Sequence, residues 1–525
     1  MDNYYGLVPR PRSVTAADGF FAVSAAFIEC AAEFGETAAV CAAQLTEAGL
    51  ACASGANGTG TANIRICEDA GVAHGEGYVL VVASDGITIR ASRTAGVFYA
   101  FQTLRQLVMS AAEWYGCAAE GNGCAAEGNG RPAENPVPVR LPCCRIADEP
   151  AYEWRGFMLD TSRNFYPASF IKKVIDALAF HKLNRFHWHL TDDQGWRLYV
   201  PEYPLLTGIG GFRGDFRAKW VGKTGGFYTD AEVSEIVEYA RLRNIIVVPE
   251  IETPGHSSSV LAAYPGLGCT GGPYQVEKRF GVFDDVLCAG NDDVFKLYDA
   301  VFDTVCRLFP GPYVHIGGDE CPRTNWKTCP KCQARMKAEG LRNEDEIQSW
   351  MTVRFASMLE KRGKIPVGWD EVLDGTERLG LPESMIVQSW RGIQGGVKAS
   401  KLGHKVIMSP QTNGCYLDYK NYDDDSEPGW INSATAETSY GFSPIPEGSG
   451  IDASFVLGGQ GNLWTEVVYA SRIAEYMMFP RLCALAECLW LPEREKDFDG
   501  FAGRLGCHKK RLETLDLRYY RGKLR

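Results

Sequence analysis

Asp319 and Glu320 stand side by side after two glycines, at the end of the apolar run Tyr313-Val-His-Ile316. Two carboxyl groups in one place suit acid–base chemistry: one holds a proton for a departing oxygen while the other stabilises developing positive charge. Similar residues recur wherever a short apolar run ends. They are Asp160-Thr-Ser-Arg163, Thr191-Asp192-Asp193, Glu250-Ile-Glu252-Thr-Pro-Gly-His256, Gly368-Trp369-Asp370-Glu371, Gln388-Ser-Trp390-Arg391 and Gly461-Asn-Leu-Trp464-Thr-Glu466. Solvated loops are also polar, but nothing would place a tryptophan at three of seven such junctions. Paired carboxylates beside aromatic platforms, without a glycine-rich phosphate loop, point to glycoside hydrolysis.

The elements that must position these residues alternate. Phe157-Met-Leu-Asp160 precedes a helix opening at Pro167 with the stripe Phe170, Ile171, Val174, Ile175 and Leu178. Arg185-Phe-His-Trp-His-Leu190 is the next strand, and Thr229-Asp-Ala-Glu232 caps a helix running to about Arg243. Ile245-Ile-Val-Val248 is wholly apolar, as a buried parallel strand should be. A helix over Asp292–Phe309, the strand Tyr313–Ile316 and a second capping box at Asn343-Glu-Asp-Glu346 continue the pattern. Ile365–Val367, Met385–Gln388, Lys405–Met408 and Phe455–Leu457 bring the strands to about eight. The pattern predicts an α/β chain built on a (β/α)8 TIM barrel, in which catalytic groups gather beyond the C-terminal strand ends. An open doubly wound sheet is the competitor, but no Gly-x-Gly-x-x-Gly turn follows the first strand. Residues 1–140 read as a small α/β domain before the barrel of residues 150–525 and its C-terminal helices. Gly77–Val82 and Gly86–Ala91 form its hairpin, and a helix covers Ala95–Met109. The heptad Cys-Ala-Ala-Glu-Gly-Asn-Gly, repeated in tandem over 117–130, reads as a loop expansion, and Pro132, Pro136, Pro138 and Pro142 as a linker.

Several of these segments together resemble glycoside hydrolase family 20, the β-N-acetylhexosaminidases. They are Trp154-Arg-Gly-Phe-Met-Leu-Asp-Thr-Ser-Arg-Asn-Phe165, His187-Trp-His-Leu-Thr-Asp-Asp-Gln-Gly-Trp-Arg197, Pro249-Glu-Ile-Glu-Thr-Pro-Gly-His256, His315-Ile-Gly-Gly-Asp-Glu320, Gly368-Trp-Asp-Glu371, Tyr416-Leu-Asp-Tyr419 and Gly459-Gln-Gly-Asn-Leu-Trp-Thr-Glu466. The likeness runs in order from about residue 150 to 490, and the N-terminal unit resembles the family's preceding domain. It implies an exo-acting enzyme that releases terminal β-linked GlcNAc or GalNAc with retention, the substrate's own 2-acetamido oxygen forming an oxazolinium intermediate. The resemblance makes Glu320 the general acid and base, and Asp319 the group that holds the acetamido N–H. Tyr416 would donate to the acetamido oxygen. Trp369, Trp390 and Trp464, with Trp430 as a further candidate, would box the acetamide and the sugar face. Arg163, Asp418 and Glu466 would grip the sugar hydroxyls, and His256 and Asp192 would stand behind Glu320. Glu252 stands where aspartate is commoner in the family.

No cofactor is implied, and the expected partner is a small oligosaccharide or glycoconjugate. Two further readings are a lacto-N-biosidase-type enzyme releasing a disaccharide, and a sugar-binding barrel that has lost catalysis. The net charge of −11 over 525 residues disfavours nucleic acid, and no apolar run reaches the ~20 residues of a membrane span. Met1-Asp2-Asn3-Tyr4-Tyr5 has neither basic nor apolar leader character, so a native start implies the cytoplasm and a trimmed leader implies secretion or the periplasm. Nothing in the sequence sets an oligomeric state. Of 18 cysteines, Cys321, Cys329 and Cys332 form a local cluster that suits a structural zinc, a disulfide, or three free thiols. Cys321, next to the catalytic pair, is expected to sensitise activity to oxidation. His187 and His189, two apart on a strand, could ligate a metal or pack as core residues.

Overall fold

The computed structural model describes residues 4–55, 63–116, 138–214 and 222–525. The heptad repeat and Pro132 and Pro136 lie outside the described residues. Eight parallel strands close into a barrel in the order Ile246–Glu250, Tyr313–His315, Ile365–Trp369, Ile386–Ser389, Val406–Met408, Val456–Leu463, Trp154–Asp160 and Arg185–His189. The barrel is the one expected, and each apolar run falls on one of its strands.

The interior of the barrel changes character along its axis. Trp154, Val248, Val367, Ile386 and Ile407 form a separate buried apolar cluster drawn from five strands. Side chains two apart on a strand share a face, so Glu250 stands one layer above Val248, and Trp369 above Val367. That upper layer is polar and buried: His187, His189, Glu250, His315 and Gln388 are each at most 1% exposed.

Helices Ala168–Phe180, Asp230–Arg241, Asp292–Leu308 and Glu344–Glu360 flank the barrel. Thr229 and Glu232 form the reciprocal cap that their spacing predicts. Asn343 accepts from the Glu346 N–H, but the Glu346 carboxylate turns instead to the Arg342 N–H and Arg378, so the second box is only half made.

Before the barrel, seven strands form a mixed sheet in the order Ser13–Val23, Val139–Asp148, Tyr78–Ala83, Gly86–Ala91, Ile64–Glu68, Ala25–Glu29 and Ala51–Ser54. The helix Thr94–Gly116 follows the Tyr78–Ala91 hairpin. Pro142 corrects the linker reading, because it lies inside Val139–Asp148. It sits opposite Phe20, at a register shift in the pairing with Ser13–Val23, and outside the stretch that pairs with Tyr78–Ala83. Proline fits where no ladder N–H is needed. Among the described residues no helix is long and apolar enough to cross a membrane.

Candidate active site

The loops beyond the C-terminal strand ends enclose a cleft of about 310 Å³. Arg163, Asp319, Glu320, Trp369, Trp390, Tyr416, Asp418, Trp430, Trp464 and Glu466 all line it. Ten of the twelve catalytic and sugar-binding candidates thus converge on one space from six segments. His256 and Asp192 stand behind the wall.

The candidate pair Asp319 and Glu320 sits on an unusual turn. Gly317 and Gly318 adopt φ of 67° and 104°, and Glu320 itself has φ 46°. A Cβ on Gly317 would lie 1.9 Å from a Glu252 carboxylate oxygen, so both the backbone and the neighbour require glycine there. His256 also holds φ 46°. Non-glycine residues in this region are uncommon and carry strain, and two of the six among the described residues are His256 and Glu320, which meet at the site.

His256 Nε2 lies 3.7 Å from both Asp319 Oδ2 and Glu320 Oε2. Its Nδ1 pairs with Asp193 Oδ2 at 3.0 Å and with Asp192 Oδ1 at 3.3 Å. Burial works against a charged imidazole, but the Asp192 and Asp319 carboxylates outweigh it and hold His256 well above its ordinary range. Asp193 is therefore the nearer support, and it is also fixed by the Ser258 N–H and hydroxyl. Asp192, which the sequence reading placed behind Glu320, reaches the imidazole as well, and Asp193 joins it because both adjacent side chains turn toward His256.

Asp192 also bridges two networks. It accepts from Arg163 at 2.8 Å and pairs with His189 Nε2 at 3.0 Å, besides its contact with His256. Arg163 is held further by Gln194 at 2.9 Å and lies over the Trp464 ring. Below it, Glu250 pairs with His187, His189 and His315 and accepts from the Trp369 indole N–H at 2.8 Å. His187 and His189 thus both serve Glu250. Burial opposes ionisation of His189, yet Glu250 and then Asp192 raise it to about 10, giving a buried chain of alternating charge. Glu250 carries the floor of the site, and its spacing to three histidines on other strands has no signal in the sequence.

The aromatic walls are equally braced. Trp369 and Trp464 have ring centroids 5.8 Å apart, and Tyr416 stacks on Trp390 at 6.4 Å and 14°. The Trp390 indole donates to Glu371 at 2.8 Å. Burial, then Asp319 and Asp370, push Glu371 up to about 9. Burial likewise keeps the Tyr416 phenol protonated. The segment 416–434 is locked by Arg481, which is fully buried and donates to the carbonyls of Leu417 (2.7 Å), Tyr419 (2.9 Å) and Ala434 (3.1 Å). This arginine, on a C-terminal helix, was not among the sequence candidates.

Three buried carboxylate oxygens of the cleft residues have no hydrogen-bond partner among the described residues: Asp319 Oδ1, Asp418 Oδ1 and Glu466 Oε2. An unsatisfied buried acceptor is costly, and three of them on residues that line one cleft mark it as a place for donors that arrive with a ligand. Burial, then the mutual repulsion of Asp418 and Glu466, holds Asp418 well above the usual carboxylate range.

The cysteine reading changes. Cys321 is buried, its sulfur donates to the Pro322 carbonyl, and burial pushes its thiol up to about 12, which disfavours the reactive thiolate. Cys329 and Cys332 do cluster, but with Cys269 and Cys288.

Comparison with known proteins supports the same assignment. The chain is 42% identical to a Porphyromonas gingivalis beta-hexosaminidase over 85% of its own length; it spans about half (54%) of that longer relative. Its fold is similar to the Vibrio harveyi GH20 exo beta-N-acetylglucosaminidase solved with N-acetylglucosamine (TM-score 0.85, 28% identity, 99% of this chain and 79% of that one). It is also similar to Streptomyces plicatus N-acetyl-beta-hexosaminidase solved with Thio-NAglucal (TM-score 0.82, 31% identity, 99% and 97% covered). Residues 152–493 match the catalytic domain of glycosyl hydrolase family 20 and residues 4–149 match that family's domain 2, so the chain belongs to glycosyl hydrolase family 20.

Proposed function

We propose that this chain is an exo-acting β-N-acetylhexosaminidase that removes a terminal GlcNAc or GalNAc through substrate assistance. The observation that carries the reading is the set of unpaired carboxylate oxygens on Asp319, Asp418 and Glu466, three residues that line one aromatic-walled cleft. The complex of the V. harveyi relative with N-acetylglucosamine supports the choice of sugar.

In this reading Asp418 and Glu466 accept from the outer hydroxyls and Arg163 donates to their oxygens. Asp319 Oδ1 accepts the acetamido N–H, which aims the carbonyl oxygen at the anomeric carbon. Tyr416 donates to that oxygen, and Trp369, Trp390 and Trp464 close around the methyl group. An amide is a weak nucleophile until it is oriented, and such packing supplies the orientation. As the acetamido carbonyl oxygen bonds the anomeric carbon, the glycosidic bond breaks and Glu320 gives its proton to the leaving oxygen. Glu320 then takes a proton from water as that water opens the oxazolinium ring, restoring the acid and releasing the sugar with its configuration retained. His256, charged and 3.7 Å from both carboxyls, positions the pair through its contact with Asp193.

A cleft of about 310 Å³ is at the small end of the ~300–1,000 Å³ common for ligand sites, which favours one sugar over a disaccharide. The test is hydrolysis of aryl β-GlcNAc, β-GalNAc and β-lacto-N-bioside substrates, with NMR of the first-formed anomer. Release of the β-anomer from the monosaccharide substrates is expected. Inversion, preference for the disaccharide, or equal turnover of a 2-hydroxy analogue would overturn the proposal.

A further inference from the structure

Two loops that frame the catalytic pair are joined by sulfur. Cys269 and Cys288 belong to the long loop after the strand Ile246–Glu250, the loop that also carries His256. Cys329 and Cys332 belong to the loop after Tyr313–His315, which begins with Asp319 and Glu320. The four sulfur atoms lie within 4.8 Å of one another. Cys269 and Cys288 stand 3.7 and 3.6 Å from Cys332, and Cys288 stands 3.8 Å from Cys329. Four sulfurs around an ion at ~2.3 Å form a tetrahedron with edges of about 3.8 Å, whereas a bridge would bring one pair to ~2.05 Å. The separations match the tetrahedron.

The surroundings bring backbone donors to the sulfurs. Cys329 caps the helix Pro330–Ala338 and Cys332 is its third residue, so both sulfurs sit where free N–H groups and the helix dipole favour negative charge. The Gly290 N–H serves the sulfurs of Cys288 and Cys332. A Cβ on Gly290 would lie 2.1 Å from the Lys331 carbonyl carbon, so the two turns interlock only with glycine at that place. The join continues toward the catalytic pair: the Trp326 indole donates to the Leu287 carbonyl at 2.9 Å and the Asn325 amide to Asp284 at 2.8 Å. Three of the four cysteines are buried.

We propose that Cys269, Cys288, Cys329 and Cys332 bind one zinc ion as a closed structural site, which staples the His256 loop to the Glu320 loop. Four protein ligands leave no position for water or substrate, so the ion acts on the fold and takes no part in bond cleavage. Binding exchanges four thiol protons for the metal, and its free energy adds to the stability of the two loops. A Cys-x-x-Cys pair with its partners 41 to 63 residues upstream is why local spacing alone pointed to Cys321 instead.

The test is metal analysis of the full chain purified without chelator. About one zinc per chain is expected, set free when a mercurial titrates the cluster. Cys288→Ser is expected to retain less than about a tenth of the zinc and to melt at lower temperature, while Cys306→Ser keeps its metal. Should Cys288→Ser fail to fold, the wild-type chain serves: stripped of metal under denaturing, reducing conditions, it should show about four more reactive thiols when refolded without zinc than when refolded with it. Metal-free protein that stays so when refolded with zinc, iron in place of zinc, or disulfide-linked peptides from this cluster in a non-reducing map would each overturn the proposal. Its failure would leave the glycosidase reading intact, since that rests on the cleft residues.

Discussion

Asp319→Asn tests the mechanism most directly. The residue is 7% exposed, and its Oδ1 has no partner among the described residues. Asparagine keeps the shape and one acceptor but loses the charge. A carboxylate about 4 Å from the positive charge that develops on the oxazolinium is worth about 4 kcal/mol at an effective dielectric of ~20. At about 1.4 kcal/mol per decade, kcat on an aryl β-GlcNAc should fall by about 10³-fold. Against a matching aryl glycoside with a 2-hydroxyl the loss should be far smaller, because no acetamide awaits orientation. A second signature is pH. Burial, with Glu320 adding and His256 opposing, pushes Asp319 up to about 6. The carboxylate is the active form, so wild-type kcat/KM should fall as pH drops through about 6, and this acid limb should be missing in the variant. A loss below tenfold, an equal loss on both substrates, or an unchanged acid limb would refute the reasoning.

Glu320→Gln should lose about 10²–10⁴-fold in turnover of natural glycosides, and less on substrates with a highly acidic leaving group; an equal loss across a leaving-group series would remove Glu320 as the acid. Arg481→Met strips three loop carbonyls of their donor, at about 1 kcal/mol each. The variant should lose about 3 kcal/mol in denaturant titration and bind substrate more weakly through Tyr416 and Asp418; unchanged stability and KM would contradict the locking role. His189 is raised to about 10 in the fold, so its contribution is complete below the unfolded value of ~6.5 and is lost as pH rises toward 10. Melting temperature should therefore decline across that window, and a His189→Gln variant with the same slope would show that the Glu250–His189–Asp192 chain is not its source.

The barrel was legible because its strands are buried on both faces and read as unbroken apolar runs such as Ile245–Val248, each followed by polar residues at its C-terminal end. The strands Ser13–Val23 and Ala51–Ser54 were not, since mostly exposed stretches such as Ser-Val-Thr-Ala-Ala-Asp-Gly have no apolar period to betray them. Pro142 read as a linker because a register shift that excuses its missing N–H depends on a partner strand more than a hundred residues away. At the site, residue type and order sufficed to nominate Asp319, Glu320, Trp369, Trp390 and Trp464, and the family resemblance added Tyr416 and Trp430. Which groups hold them in place was decided elsewhere. The turn of Asp193 toward His256, the meeting of three histidines on Glu250, the reach of Arg481 beneath the Tyr416 loop and the joining of Cys269 and Cys288 to the Cys329 knuckle are all long-range. Sequence records what each strand and its end are made of, because burial and local propensity act on neighbours in the chain. Only closure of the barrel brings side chains from different strands within hydrogen-bonding distance, and those distances set the charges and the rigidity on which catalysis depends.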